Sequence, residues 1–296
     1  MKDISSAPVI SVCIPTYNRK EYLKETLESV FAQTYKDYEV IVVDDGSADG
    51  TGEMIKQVGR DVRYHWQENA GDASARNKLI ELAAGKYITF LDSDDLLIPD
   101  AVGRMVAVIE HEAEPIIVYG PYLRIDESGK VIGKSKRKLY SGFVTKYLFQ
   151  EILIHSCGSM FPRDILQKAG GFDTSLPVCS DYDLWLRLSL EYRYIALPEP
   201  TFKRRRHSGN LSAGSLQNRI IELEVLKRFY YEKGGDAVVP RRIAMDKLSR
   251  EEYKVGKYSL LEKDYASAAG RFRKSLSLHP NVKALFGWGL AIFKSF

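Results

Sequence analysis

Residues 86–100 read KYITFLDSDDLLIPD, a run that begins as a buried strand through Ile88, Phe90 and Leu91 and then sets Asp92, Asp94 and Asp95 directly at the strand's end. Two carboxylates a few Å apart repel by roughly 1 kcal/mol in water and by several times that near a protein surface. An apolar strand that ends in such a cluster implies a site at the strand terminus, with something positive between the carboxylates.

Working outward, the first 120 residues alternate two periodicities. VISVCIP (9–15) is an apolar run closed by Pro15, and EYLKETLESVFAQT (21–34) repeats apolar residues at helical spacing through Tyr22, Leu23, Leu27, Val30 and Phe31. YEVIVVDDGS (38–47) is a second buried strand that ends in aspartates, followed by VRYHWQE, the helix ASARNKLIELAAG with Gly85 as its expected stop, and the opening strand. Helix PDAVGRMVAVIEHE and strand PIIVYGPYLRI come next. Near-continuous apolar strands between amphipathic helices predict an α/β fold with a mostly parallel central sheet covered by helices on both faces. In such sheets ligands bind beyond the carboxyl ends of the strands, which brings Pro15 to Asn18, Asp44 and Asp45, and Asp92 to Asp95 to one place.

From 139 to about 207 the pattern is less regular: helix VTKYLFQEILI, the segment HSCGSMFPRDILQKAGGFD, helix SDYDLWLRLSLEY and strand RYIALPEPTFKRRRH. Beyond Leu211 strands give way to four helical stretches, SLQNRIIELEVLKRFYYEKG, PRRIAMDKLSREEYKVGKYSLLEK, YASAAGRFRKSLSLHP and NVKALFGWGLAIFKSF. The expected organisation is a domain over 1–212, with halves of about 1–120 and 121–212, followed by a helical region over 213–296.

At 296 residues, with 45% hydrophobic and 28% charged, the chain has the composition of a soluble globular protein with a sizeable core. The net charge of +4 makes no case for nucleic acid, which is not expected as a partner, and the basic residues are uneven: KSKRK at 134–138 and KRRR at 203–206 stand out. Three cysteines, Cys13, Cys157 and Cys179, fit neither a disulfide framework nor a paired-ligand zinc site, so a reducing, cytoplasmic compartment is expected. The N-terminus has no signal-peptide pattern and no run of about 18 apolar residues occurs.

Asp92-Ser93-Asp94 offers hard oxygen ligands suited to Mg2+ or Mn2+, which are commonly shared between carboxylates and substrate phosphates. The alternative is that Asp94 and Asp95 cap the helix that begins near Pro99, although a cap needs one Asp and not Asp92. Asp45 could accept the N–H of a base, or close an Asx-type turn; the Tyr17 ring could stack on a base, or pack in the loop. Arg76 lies in the first turn of a helix, where backbone N–H groups favour an anion, or else makes a surface ion pair. In CSDYDLWLRL, Ser180 and Asp183 resemble a capping box and Asp183 can pair with Arg187, which leaves Asp181 at the helix start, either free to act as a general base or stabilising the helix dipole. KRRRHSGNLS joins cations to His207, a candidate for phosphate or metal, or a solvated face.

Together, ISVCIPTYNR, VIVVDDGSADGT, ENAGDASARN, YITFLDSDDLLIPD, GGFD followed by SDYDLWLRL, and RRRHSGNLS resemble, in this order, the inverting nucleotide-sugar glycosyltransferases of family 2 with the GT-A fold. The resemblance runs from Val9 to about Ser212. It implies that Pro15, Thr16, Tyr17 and Asp45 hold the nucleoside, that Arg76, Asp92 and Ser93 line the sugar-diphosphate, that Asp94 with Asp92 and His207 hold Mn2+ or Mg2+, and that Asp181 deprotonates the acceptor hydroxyl. A glutamate usually precedes that last position; here it is Ser180. The implied reaction is transfer from a nucleoside-diphosphate sugar, with UDP the expected carrier, to a glycan or lipid-linked acceptor in surface polysaccharide synthesis.

YSLLEKDYASAAGRFRKSLSLHPN resembles one tetratricopeptide-like helix pair through Ala268, Phe272, Leu276 and Pro280; a single repeat forms no solenoid, so packing on the catalytic domain or on a second copy in a homo-oligomer is expected. LFGWGLAIFKSF, with Lys283 and Lys294 near its ends, is either core or a peripheral contact with the inner membrane face. A sugar-phosphate nucleotidyltransferase should have a glycine-rich loop after the first strand, where PTYNRKEY has none, and no P-loop occurs. A non-catalytic sugar-nucleotide or glycan-binding module on the same fold is the rival of a different class.

Overall fold

The structure is a computed structural model and describes residues 7–207 and 215–295. The chain opens with β1 (Ile10–Thr16), α1 (Lys20–Phe31), β2 (Tyr38–Asp44), α2 (Thr51–Gln57), β3 (Arg63–Trp66), α3 (Asp72–Leu82) and β4 (Tyr87–Phe90). The short β5 (Leu96–Leu97), α4 (Ala101–Ile109), β6 (Ile116–Tyr119), β7 (Tyr122–Ile125), β8 (Val131–Lys134), α5 (Thr145–Gln150), β9 (Ser159–Pro162), α6 (Arg163–Lys168), α7 (Ser180–Leu188), β10 (Arg193–Ala196) and β11 (Phe202–Arg205) follow. The remainder is helical: α8 (Leu216–Glu232), a 3-10 turn (Gly235–Ala237), α9 (Arg241–Leu261), α10 (Tyr265–Leu278) and α11 (Val282–Lys294).

The central sheet has the order β10-β6-β9-β4-β1-β2-β3. Its neighbours are parallel except at β9, which pairs antiparallel with both β6 and β4. Every residue of β1 and β4 is buried, as strands covered on both faces require. Helix α1 presents Leu23, Thr26, Leu27 and Val30 to this sheet's core at the spacing read from the sequence. A second sheet, β5-β11-β7-β8, is built from strands that the linear reading fused or missed.

PIIVYGPYLRI is two strands, because Gly120 and Pro121 let β6 end in the large sheet and β7 begin in the small one. A Cβ on Gly120 would stand 2.5 Å from the Thr201 side chain, so the crossing needs glycine. RYIALPEPTFKRRRH likewise divides into β10 and β11, one in each sheet. Gly85 does not stop α3: that helix ends at Leu82 with Ala83 extended, and Gly85 instead passes against β1, where a Cβ would meet the Ser11 nitrogen at 2.5 Å. Helix α4 begins at Ala101, two residues later than the Pro99 signal, and α5 covers only part of VTKYLFQEILI.

Two compact units are present. One comprises Met1–Val144 with Leu153–Gly209, and the other Thr145–Ile152 with Asn210–Phe296. The second unit has its own core, in which Ala268, Phe272, Ala284 and Ala291 pack with Tyr253, Leu260, Leu276 and Trp288. The Phe272 ring is received by Gly256 and Gly287, whose added Cβ atoms would lie 2.9 and 2.7 Å from it. Among the described residues no helix is long and apolar enough to cross a membrane.

Candidate active site

The adjacent strands β4, β1 and β2 end side by side, and the loops that leave them are stitched together. Asp45 N–H donates to the Thr16 carbonyl at 2.9 Å. Asn18, held at φ 50°, receives the Ala48 N–H on its side-chain oxygen at 2.8 Å, while its own N–H donates to Ser47 Oγ at 2.8 Å. Pro15 and Thr16 complete β1 opposite Val43 and Asp44. Tyr17 projects from this junction with half of its surface exposed. Thr16 is buried and its Oγ1 has no hydrogen-bond partner.

Of the two aspartates at the end of β2, Asp44 closes the Asx-type turn, accepting from Ser47 N–H at 2.8 Å and from the Tyr64 hydroxyl at 2.7 Å. Asp45 instead fixes the loop before α3: Ala70 N–H and Gln67 Nε2 donate to its Oδ1 at 2.9 and 2.7 Å, and Gly71 N–H to its Oδ2 at 2.8 Å. Those three bonds leave a carboxylate lone pair uncommitted.

The turn after β4 carries the acidic group. Asp95 N–H donates to the Asp92 carbonyl at 3.0 Å, which folds the two residues back on each other, and Ser93, Asp94 and Asp95 are buried. Neither Asp94 nor Asp95 caps α4, so the capping alternative does not hold. Asp94 Oδ2 meets Arg19 Nη1 and, at 2.8 Å, His207 Nε2. Asp95 Oδ1 accepts the Arg205 N–H at 2.9 Å. Burial, and next the charge of Asp92, push the Asp95 pKa up to about 7. Burial also opposes ionisation of Asp92, but the Arg76 guanidinium, Cys157 and Arg204 together outweigh it and the pKa falls below the usual aspartate value.

Arg205 is a site residue that the sequence reading missed, since it lay inside a run that looked like a solvated face. It is fully buried, and its guanidinium donates to the carbonyls of Asp94 (3.0 Å) and Glu127 (2.7 Å) and to Glu25 Oε2 (2.6 Å), over the Tyr22 ring at 4.8 Å. Strand alternation was the available signal, because Phe202, Arg204 and Lys203, Arg205 fall on opposite faces of β11. Gln67 went unread because only the folded loop brings it to Asp45.

Arg76 is buried on α3, with Nε donating to Asp72 Oδ2 at 2.7 Å and Nη2 to Asp92 Oδ1 at 2.6 Å. Its Nη1 is buried with no hydrogen-bond partner. The guanidinium lies against the rings of Phe90 (5.6 Å) and Phe172 (5.8 Å). Asn77, on the next position of α3, clamps Phe172 through paired bonds of 2.8 Å, and Gly171 approaches so closely that a Cβ would fall 2.4 Å from the Asn77 side-chain oxygen.

The same aromatic group positions α7. Trp185 stacks on Phe161 at 4.3 Å and meets Phe172 edge-on at 5.8 Å. Cys179, at φ 62°, turns the chain into the helix, so Ser180 is already helical and the expected capping box does not form. The Asp183–Arg187 pair does form, at 2.8 Å. Asp181 is thus the second residue of α7 rather than the first, with Oδ1 accepting the Tyr182 N–H at 2.7 Å. Burial raises its pKa, Arg76 works against that, and Asp72 and Asp92 reinforce it.

A divalent cation fits this donor set. The Asp94 carboxylate and the His207 imidazole that it meets, whose pKa burial and Arg19 lower, give an oxygen and a nitrogen ligand of the kind that Mn2+ or Mg2+ takes. Ligand atoms of Asp92, Asp95 and Cys157 also lie within 4.8 Å of one another. Cys157 is a poor ligand for a hard cation, since burial and the two aspartates push its thiol pKa far up and keep it protonated. The structure therefore joins Asp94 to His207 directly and turns Asp92 toward Arg76, so the three expected ligands do not form one preassembled cluster. Residues 208–214, the end of RRRHSGNLS, lie outside the described residues.

The chain is 32% identical over 241 residues to an uncharacterised glycosyltransferase of Rickettsia typhi, covering 79% of this chain and 74% of that one. Its fold matches S. aureus TarS 1–349 in complex with UDP, with a TM-score of 0.61 at 18% identity over 95% of this chain and 91% of that one. It also matches the mannosyltransferase PcManGT from Pyrobaculum calidifontis in complex with GDP-Man and Mn2+, with a TM-score of 0.60 at 19% identity over 97% and 81%. These neighbours share the GT-A fold, and the family model for glycosyl transferase family 2 matches residues 11–170, a span that takes in the ends of β1, β2 and β4. The chain is a glycosyltransferase and belongs to glycosyl transferase family 2.

Proposed function

We propose that the protein transfers a sugar from a nucleoside-diphosphate sugar, with UDP as carrier, to a hydroxyl of a glycan or lipid-linked acceptor, with inversion and in a divalent-metal-dependent reaction of surface polysaccharide assembly. The observation that carries this reading is the buried, unpartnered Nη1 of Arg76, a cationic donor between Asp72 and Asp92 on the helix that leaves the β3 loop. A diphosphate satisfies it. Thr16 Oγ1, also buried without a partner, gives the nucleoside a second contact, and the exposed Tyr17 ring offers a stacking face for the base. TarS with UDP and PcManGT with GDP-Man and Mn2+ support donor class and metal by analogy.

Asp181 acts as general base. Its raised pKa makes it a better proton acceptor than an ordinary surface aspartate, and the aromatic packing of α7 holds it at the acceptor face. The acceptor oxygen, as its proton passes to Asp181, attacks the anomeric carbon; the bond from that carbon to the diphosphate oxygen breaks, and the electron pair leaves with the nucleoside diphosphate. Arg76 holds the departing phosphates and Asp92 the sugar. Asp94, with Asp92 and His207, would hold the cation, which supplies charge neutralisation at the leaving diphosphate worth several kcal/mol.

The proposed setting is the cytoplasm at the membrane face. The free thiols of Cys13 and Cys157 suit a reducing compartment, and α11 exposes Leu285, Phe286, Leu290 and Phe293 between Lys283 and Lys294, a composition suited to an anionic lipid surface. The proposed domain boundary near residue 212 separates transfer chemistry from these helices.

Thermal unfolding with a panel of nucleoside diphosphates and Mn2+, wild type against Asp94→Asn, tests the donor and metal reading. A ligand at 100 times its dissociation constant adds about 2.7 kcal/mol. A metal-dependent rise with UDP that Asp94→Asn removes is expected; no shift with any nucleotide would overturn the reading.

A further inference from the structure

The two basic runs of the sequence enter the proposed site only through Arg205, yet the fold brings them together. Strands β11 and β7 are parallel, with Phe202 opposite Tyr122 and Arg204 opposite Arg124, so Phe202, Tyr122 and Arg204 share one face of the small sheet. The Arg204 guanidinium lies over the Tyr122 ring, 5.9 Å from its centroid. On the other side β8 runs on into the first basic stretch: Ser135 N–H donates to the Tyr122 carbonyl at 2.8 Å, and Arg137 N–H donates to Ser135 Oγ at 3.3 Å. That path delivers Arg137 Nη1 to within 3.1 Å of His155 Nε2.

The His155 ring stands edge-on to Tyr122 at 5.0 Å and 6.0 Å from Phe202. One aromatic platform of Tyr122, Phe202 and His155 therefore carries a guanidinium from each basic run. Because Arg137 only donates, the His155 nitrogen facing it is the acceptor and the imidazole is neutral. Burial, with the charges of Arg204 and Arg137, agrees by driving the His155 pKa well below its ordinary value. Both arginines are half-buried. Arg204 also stands near enough to the β4 turn to favour ionised Asp92 and Asp95. Two guanidiniums carried on one platform suit a planar or tetrahedral oxyanion.

We infer that Arg137 and Arg204 form an anion subsite for a phosphate group carried by the acceptor, which makes the acceptor a phosphate-bearing glycan or lipid-linked saccharide. This rests on the transfer reading above. It is tested by calorimetric titration of the full chain with glycerol 3-phosphate and with glycerol, each with and without saturating UDP and Mn2+. Glycerol 3-phosphate is expected to bind and glycerol not to bind. Its affinity should be the same with UDP present, fall at least tenfold in Arg137→Gln/Arg204→Gln, and fall by less in Arg204→Lys, which keeps the charge and loses the fork.

Equal behaviour of glycerol 3-phosphate and glycerol, or unchanged affinity in a double variant whose unliganded melting curve matches wild type, would overturn the inference. Displacement of glycerol 3-phosphate by UDP would also overturn it, since the guanidiniums would then belong to the donor's diphosphate. The nucleotide titration in the same series reads the donor assignment separately: absence of any UDP binding sinks that reading, while the phosphate arm still decides the subsite.

Discussion

At the residue scale, the site is a balance of carboxylates against guanidiniums. Asp181, the proposed base, is the position with the most direct expected consequence for rate. Asp181→Asn is expected to lower kcat by about 100- to 10,000-fold, the usual contribution of a positioned base. Nucleotide binding should be unchanged, which equilibrium titration beside steady-state turnover checks. Its pH dependence has a definite sign: the base works deprotonated, and burial raises its pKa against the pull of Arg76. Activity should therefore fall, as pH is lowered, through a midpoint above the ordinary aspartate value of about 4. A kcat profile flat down to that value would exclude Asp181 as the base. Arg205 is the structural counterpart. Arg205→Met leaves the carbonyls of Asp94 and Glu127 without donors and is expected to destabilise the protein by roughly 3 kcal/mol, read from denaturant midpoints.

At the scale of elements, close approaches set where strand ends fall. Gly85 holds the α3–β4 connection against β1, and Gly85→Ala forces a Cβ to within 2.5 Å of the Ser11 nitrogen. Overpacking of this kind costs about 1 to 3 kcal/mol. The expected result is a lower melting temperature and a smaller nucleotide-induced shift, since β1 and β4 carry Thr16 and the acidic turn. Trp185 anchors α7 through Phe161 and Phe172. Trp185→Leu is expected to cost about 3 kcal/mol and to reduce turnover beyond its effect on nucleotide affinity, because it loosens the helix that bears Asp181 and leaves the β1 and β2 ends in place. Equal losses in turnover and nucleotide affinity would contradict that role.

At the scale of the whole molecule, the two units have separate cores, one around the central sheet and one around Phe272. Gly287→Ala would drive a Cβ to 2.7 Å from the Phe272 ring and should lower the unfolding temperature of the helical unit, while the rise given by UDP and Mn2+ on the catalytic unit persists. Differential scanning calorimetry with and without ligand distinguishes the two. Helix α11 leaves Phe286 and Phe293 at 75% and 79% exposure. Phe286→Asp/Phe293→Asp is expected to abolish co-sedimentation with anionic phospholipid vesicles without changing nucleotide binding; wild-type protein that ignores such vesicles would remove the membrane contact from the proposal.

Much of this was legible in the chain because it is encoded locally. Apolar runs against helical spacing gave the alternation up to β6, strand termini gave the acidic turn and the PTYN and DDGS loops, and helical periodicity gave α8 through α11. The missed features are non-local. Strand β9 enters the sheet antiparallel between β6 and β4, and nothing in SMFP specifies those partners. The break at Gly120 and Pro121 that sends β6 and β7 to different sheets depends on a close approach by Thr201. Residue chemistry by itself determined which side chains are able to bind phosphate, metal and hydroxyl. Only the tertiary structure decided which of them meet: Arg205 under the acidic turn, Asp45 on the loop before α3, Arg137 beside the platform that carries Arg204. A side chain's partners across 70 to 180 residues are set by sheet order and register, which a linear pattern does not contain.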